Sequence, residues 1–97
     1  MEFENLPLHD AILEEIGYSW GLKRAVLSGK LVSNVGSKFQ LVFSNVLQMH
    51  VSNEESWGPS NSISDLDSDG TSYAINMQSG DQVTLHASGF TYAASTT

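Results

Sequence analysis

The sequence predicts a mainly β fold, a single antiparallel sheet of five or six strands with meander-like order and at most minor helix. Three observations carry that expectation. Apolar residues recur at strand period in Phe39–Phe43, Thr71–Gln78 and Gln82–Ala87, which places them on alternate faces of a pleated chain. Clusters of Gly, Asn and Ser punctuate these runs at short intervals, as turns require. The chain is 40% hydrophobic and only 15% charged, so its polarity comes mainly from uncharged side chains. Such a surface suits strands and turns better than exposed helices.

Phe39–Val51 is the organising stretch, an apolar-rich run without Gly, Pro or a charged residue. Phe39, Leu41 and Phe43 share one face, and Ser44-Asn45 interrupts the alternation, so a bend or bulge is expected there. The flanking strands are expected to pair against it as the middle of the sheet.

The remaining elements follow in order. Residues 1–10 read as an irregular lead-in whose Leu6 and Leu8 anchor either side of Pro7. Ala11–Trp20 reads as a strand with Ile12, Ile16, Tyr18 and Trp20 on one face, residues 11–16 being the place where a helix competes. Gly21 turns the chain into a second strand, Leu22–Ser33, and Ser33–Ser37 reads as a loop. Ser52–Asn61 is a long irregular connection, and Ser62–Asp69 fits either a short strand or one capped helical turn. Thr71–Gln78, a tight turn at Ser79-Gly80-Asp81 and Gln82–Ala87 make the clearest hairpin signal. Ser88-Gly89 permits a bend, Phe90–Ala93 can end the sheet, and Ala94–Thr97 reads as a frayed tail.

With 97 residues, one domain spanning 1–97 is expected, with a small core. Cysteine is absent, which excludes disulfides, a thiol nucleophile and Cys-based zinc sites and leans towards a reducing cytoplasm. The acidic start, Met1-Glu2-Phe3-Glu4-Asn5, lacks the basic-then-apolar order of a secretory signal. No apolar run approaches the roughly 18 residues of a membrane span.

The net charge is −7 and unevenly spread. Residues 1–15 carry −5, residues 16–38 carry +4 through Lys23, Arg24, Lys30 and Lys38, and residues 39–97 carry −6 with no Lys or Arg. Phosphate backbones are repelled by such a surface, so direct nucleic-acid binding is disfavoured.

The segments Leu6-Pro7-Leu8-His9-Asp10-Ala11, Phe43-Ser44-Asn45-Val46, Trp57-Gly58-Pro59-Ser60-Asn61-Ser62-Ile63 and Met77-Gln78-Ser79-Gly80-Asp81 occur in this order. With its L-P-L-H-D-A start and W-G-P-S box, the chain resembles a group of small bacterial proteins that are similar in turn to polymorphic-toxin immunity proteins. The resemblance implies a sheet-rich domain, carries over no catalytic residue and points to a protein partner.

Several motifs bear on chemistry. Asp65-Leu66-Asp67-Ser68-Asp69-Gly70 matches D-x-D-x-D-G, the first half of a calcium loop. Its second half fails, because Ser72 stands where an apolar residue belongs and Asn76 where a bidentate Glu belongs. An Asp-rich turn explains the same residues. His9, His50 and His86 are the only imidazoles, and nothing in their spacing forces the convergence a zinc site needs. No G-x-S-x-G elbow or phosphate-cradling glycine loop occurs. Trp57 fits a cap over the open end of a small core, with an exposed recognition aromatic as the alternative.

These observations lead to no expected catalytic residue, cofactor or metal ion. The expected function is that of a small acidic cytoplasmic binding protein, an inhibitor or immunity-type protein. Its expected partner is a protein with a basic surface, such as a nuclease or a CRISPR effector, and neither nucleic acid nor membrane. The expected contacts are Glu54, Glu55, Trp57, Asp65, Asp67 and Asp69, all placed on loops around the 52–61 connection. The competing expectations are a calcium-binding, small-ligand or carbohydrate-binding module, and a small hydrolase using His9, Asp10 and a serine.

Overall fold

A computed structural model describes residues 2–32 and 37–96. Within them the chain forms β1 (Ile12–Ser19), β2 (Arg24–Lys30), β3 (Ser37–Ser44), β4 (Gln48–Val51), β5 (Ile63–Asp69), β6 (Ser72–Met77), β7 (Gln82–His86) and β8 (Gly89–Thr96). A short 3-10 turn at Phe3–Asn5 precedes them. The mainly β expectation therefore holds, and residues 11–16 are not helical but join β1.

The single sheet of five or six strands does not hold. There are two four-stranded sheets, ordered β1-β2-β3-β8 and β4-β7-β6-β5, with every strand pair antiparallel. The reason lies at the interruption in Phe39–Val51. Asn45 takes a left-handed backbone (φ 53°), and the chain leaves the first sheet at Ser44 and enters the second at Gln48. The returning strands turn beside it at Ala87 and Ser88. Ser88 donates its N–H to the Ser44 carbonyl at 3.0 Å, and Leu47 donates to His86 at 2.8 Å. β3–β4 and β7–β8 are thus one long hairpin bent from one sheet into the other, with Val46 and Ala87 buried at the corner. A period-two pattern reports which face a residue takes, but not which sheet its strand joins.

At a second corner, Asp10 donates to the Ile63 carbonyl, Ile63 to Ala11 and Leu13 to Asn61, each at 2.8 Å. These bonds tie the entrance of β1 to the entrance of β5. The ambiguous Ser62–Asp69 segment is thereby a strand. The expected frayed tail is also corrected, because β8 runs to Thr96 and pairs with β3 in unbroken register from Ser37↔Thr96 to Ser44↔Gly89. The second strand is shorter than expected, and the expected loop at Ser33–Ser37 falls, up to Gly36, outside the described residues.

One core fills the space between the sheets. Ala25, Leu27, Phe39, Leu41 and Phe43 from the first sheet meet Ile63, Leu66, Tyr73, Ile75, Met77, Val83 and Leu85 from the second. The lead-in belongs to it, with Phe3, Leu6, Leu8 and Ala11 all buried. Phe3 closes an aromatic cluster, its ring centroid 5.0 Å from Tyr73, 5.2 Å from Phe90 and 5.9 Å from Phe43, all edge to face. Such pairs add about 0.5–1.5 kcal/mol each beyond area burial.

Candidate functional site

Alternation along β5 turns Leu66 inward and leaves Asp65, Asp67 and Asp69 exposed on the outer face of the second sheet. The register extends each aspartate into a row. Asp65 lies beside Asn76 and Gln82, Asp67 beside Ala74, Thr84 and His50, and Asp69 beside Ser72, His86 and Gln48. Apart from Ala74, the residues of these rows are polar. Gln82 Nε2 donates to Asn76 Oδ1 at 2.7 Å, and Asn76 Nδ2 donates to Asp67 Oδ2 at 3.3 Å. The twist of the sheet leaves an open cleft of about 880 Å³ over the central and distal rows, lined by Asp67, Asp69, Thr84, His50 and His86.

The long connection sits at the proximal end of this face, clamped by Asp81. That carboxylate is 6% exposed. It accepts the Ser79 hydroxyl at 2.7 Å, the Ser52 hydroxyl at 3.1 Å and the backbone N–H groups of Glu54 and Glu55 at 2.6 and 3.0 Å. Trp57 then donates its backbone N–H to the Ser79 carbonyl at 2.9 Å. Its ring lies over Gly80, where an added Cβ would sit 3.0 Å from Trp57 Cδ2. The Gly80 φ of 92° suits the turn and is one that only glycine adopts easily.

Trp57 does not cap the core. It is 80% exposed and lines a second hollow with Asp65, Asn76 and Gln82. The indole is thus held through its backbone, with its ring open to solvent.

The structure thus groups Glu54, Glu55, Trp57 and Asp65 at one end, with Asp67 in the middle and Asp69 at the far end. The expectation that all six lie on loops is corrected for the aspartates, which stand on a strand. Successive ones are about 7 Å apart on a pleated chain, so they form a ladder rather than a converging calcium loop. Gly70, with φ 72°, serves the β5–β6 hairpin. Among the described residues, no group of three or more His, Asp or Glu is arranged to hold a metal ion.

The His9 arrangement required of a hydrolase does not form. His9 Nε2 lies 3.5 Å from Asp10 Oδ2, but Nδ1 meets the backbone carbonyl of Ser64 at 2.6 Å, not a serine hydroxyl. Sequence reasoning missed Asp81 as a clamp; it put His50 and His86 on strands and Thr84 and His86 opposite the inward Val83 and Leu85, but did not join them to the aspartates in one face. The polar alternation opposite Tyr73, Ile75 and Met77 marked Asn76 as facing away from the core, and the expected hairpin with Gln82–Ala87 is the β6–β7 pair, but β5 and β4 as the flanking partners were not legible.

The Ser79 hydroxyl and the Glu54 N–H hold the Asp81 carboxyl below its ordinary value of 3.8, against the opposing effect of burial. A depressed folded value means that the clamp contributes fully above about pH 3.8 and is lost as pH falls through the folded value. Urea unfolding of wild type and Asp81→Asn across this range is expected to give a constant stability gap at higher pH that narrows on acidification. A gap independent of pH would rule out ionisation of Asp81 as its source.

No protein-family model, curated protein or solved structure matches the chain. Among the described residues, no helix is long and apolar enough to cross a membrane.

Proposed function

We propose that this chain is an inhibitor or immunity-type protein that covers a basic surface of a protein partner in the cytoplasm. The observation that carries the reading is the aspartate ladder. It presents three regularly spaced carboxylates on an outer face where, from Phe39 onward, the sequence has no Lys or Arg. The four basic residues lie in or beside the first sheet, at Lys23, Arg24, Lys30 and Lys38. Charge is therefore segregated, and a segregated acidic face steers diffusing basic surfaces towards itself.

Basic grooves that hold phosphate are found on nucleases and on CRISPR effectors, and both fit. The inhibitor would occupy the groove in place of nucleic acid, with Trp57 as the anchoring aromatic and Glu54, Glu55, Asp65, Asp67 and Asp69 meeting cations. The resemblance to immunity-type proteins supports the same reading. A second reading, a small-ligand or carbohydrate module, is favoured by the cleft beside His50, Thr84 and His86.

Affinity capture from the native host and its phages at rising salt separates these readings. The expected result is a basic nucleic-acid-binding protein that is lost at high salt and weakened by reversing Glu54, Glu55 and Asp67 to Lys. Capture unchanged by that reversal would refute the electrostatic mechanism. Direct binding of DNA or RNA would refute the class.

A further inference from the structure

A sheet ends in strands whose outward N–H and C=O groups can pair with another chain, and folded proteins usually blunt these edges. Three of the four edges here are blunted. β1 carries a bulge between Leu13 and Glu15, exposes Glu14 and Glu15, and has its entrance bonded to residues 61–63. β5 also carries a bulge and bears the aspartates, while the Phe3–Asn5 turn and the Asp10-Ala11 segment pack along it. β4 has only four residues.

The fourth edge, β8, has none of these devices. It is eight residues long, Gly89-Phe90-Thr91-Tyr92-Ala93-Ala94-Ser95-Thr96, with no Asp, Glu, Lys, Arg or Pro. Its register against β3 is continuous and without a bulge. Among the described residues, no backbone hydrogen bond reaches Gly89–Thr96 from any strand other than β3.

We propose that β8 pairs antiparallel with β8 of a second copy of this chain about a two-fold axis, joining the first sheets of both copies into one eight-stranded sheet. Charge selects this occupant. Each copy carries −7, so two copies repel wherever their carboxylates meet. β8 has no carboxylate, and the ionisable residue of neighbouring β3 is Lys38, beside Ser95. A basic partner finds no carboxylate at this edge and is drawn to the second sheet instead. An antiparallel strand is also self-complementary across a two-fold axis, as an isologous interface requires. The contact is one strand wide, which places it among small, weak interfaces.

Sedimentation equilibrium of the full chain tests this between about 1 and 100 µM. A monomer–dimer equilibrium is expected within that range, and added salt should strengthen it by screening like charges. That sign is opposite to the one expected for the acidic face, so the two proposals fail separately. Thr91 and Ala93 are exposed on the outer side of β8. The double variant Thr91→Lys/Ala93→Lys, and equally Thr91→Glu/Ala93→Glu, should raise the dimer dissociation constant about tenfold or more by opposing like charges across the pair. Mixing the two variants should restore association. Should either variant lose its β-type circular dichroism, amide exchange of wild-type Phe90–Ser95 decides, with protection expected to rise with protein concentration. A wild type that stays monomeric, a dimer indifferent to both folded variants, or concentration-independent exchange at β8 would overturn the proposal.

Discussion

Gly29→Ala is expected to destabilise the fold by about 3 kcal/mol or more, near the upper end of what overpacking produces. Gly29 sits in β2 between Leu13 of β1 and Phe39 of β3. At this point β1 bends towards its bonds with residues 61–63, and the Ile12 carbonyl passes directly over the glycine. A Cβ there would overlap the Ile12 oxygen and stand 2.9 Å from both the Ile12 carbonyl carbon and Phe39 Cε1. Backbone cannot rotate away as a flexible side chain would, so either the β1–β2 ladder opens or the corner between the sheets shifts. For a domain of this size the total is only about 5–15 kcal/mol. Gly17→Ala is the matched control, since its nearest neighbour would be the Val26 carbonyl oxygen at 4.0 Å, and about 1 kcal/mol or less is expected there. Urea unfolding of both variants measures the difference. Equal effects would mean that β1 does not cross Gly29 this closely.

Phe43→Ala is expected to cost about 3–5 kcal/mol, the range for deleting a buried ring. Phe43 is fully buried, and its ring packs edge to face on Phe3 and Tyr73, with centroids at 5.9 and 5.2 Å, and tilted on Phe90 at 6.4 Å. These neighbours come from the lead-in and from both sheets, so the cavity would lie where three parts of the chain meet. Phe43→Leu should lose less, because it keeps much of the volume. Phe3→Ala and Phe43→Ala share these contacts, so their combined effect should fall short of their sum. Additive losses would place Phe3 outside the cluster.

The strands were legible in the sequence because inward and outward residues alternate. Tyr73, Ile75 and Met77, and Val83 and Leu85, appeared in their true roles, as did the anchors Leu6 and Leu8. The division into two sheets was not legible. It depends on a left-handed Asn45 and on hydrogen bonds between Ser44 and Ser88, which are 44 residues apart in sequence. The frayed-tail expectation for Ala94–Thr97 failed over Ala94–Thr96 for a related reason, Thr97 lying outside the described residues: small residues look like a tail until β3 is there to pair with them. At the candidate site, the acidic residues were visible but their setting was not. Asp-rich spacing ending in Gly reads equally as a loop and as an edge strand entering a hairpin. Trp57 looked like a core residue because indoles usually bury, whereas its backbone N–H is bonded to the Ser79 carbonyl and its ring lies against Gly80 at the surface.

The central claim is that the outer face of the second sheet does the binding through its charge. It is tested most directly by titration calorimetry of the captured partner against two charge-reversed variants. One is Asp65→Lys/Asp67→Lys/Asp69→Lys on the ladder. The other is Glu4→Lys/Glu15→Lys, which reverses exposed carboxylates on the lead-in and the first sheet. The account predicts that the ladder variant loses at least about tenfold in affinity and most of its salt dependence, while the control stays within about threefold of wild type. Equal losses in both variants would make net charge, not the face, responsible, and an unaffected ladder variant would contradict the claim outright.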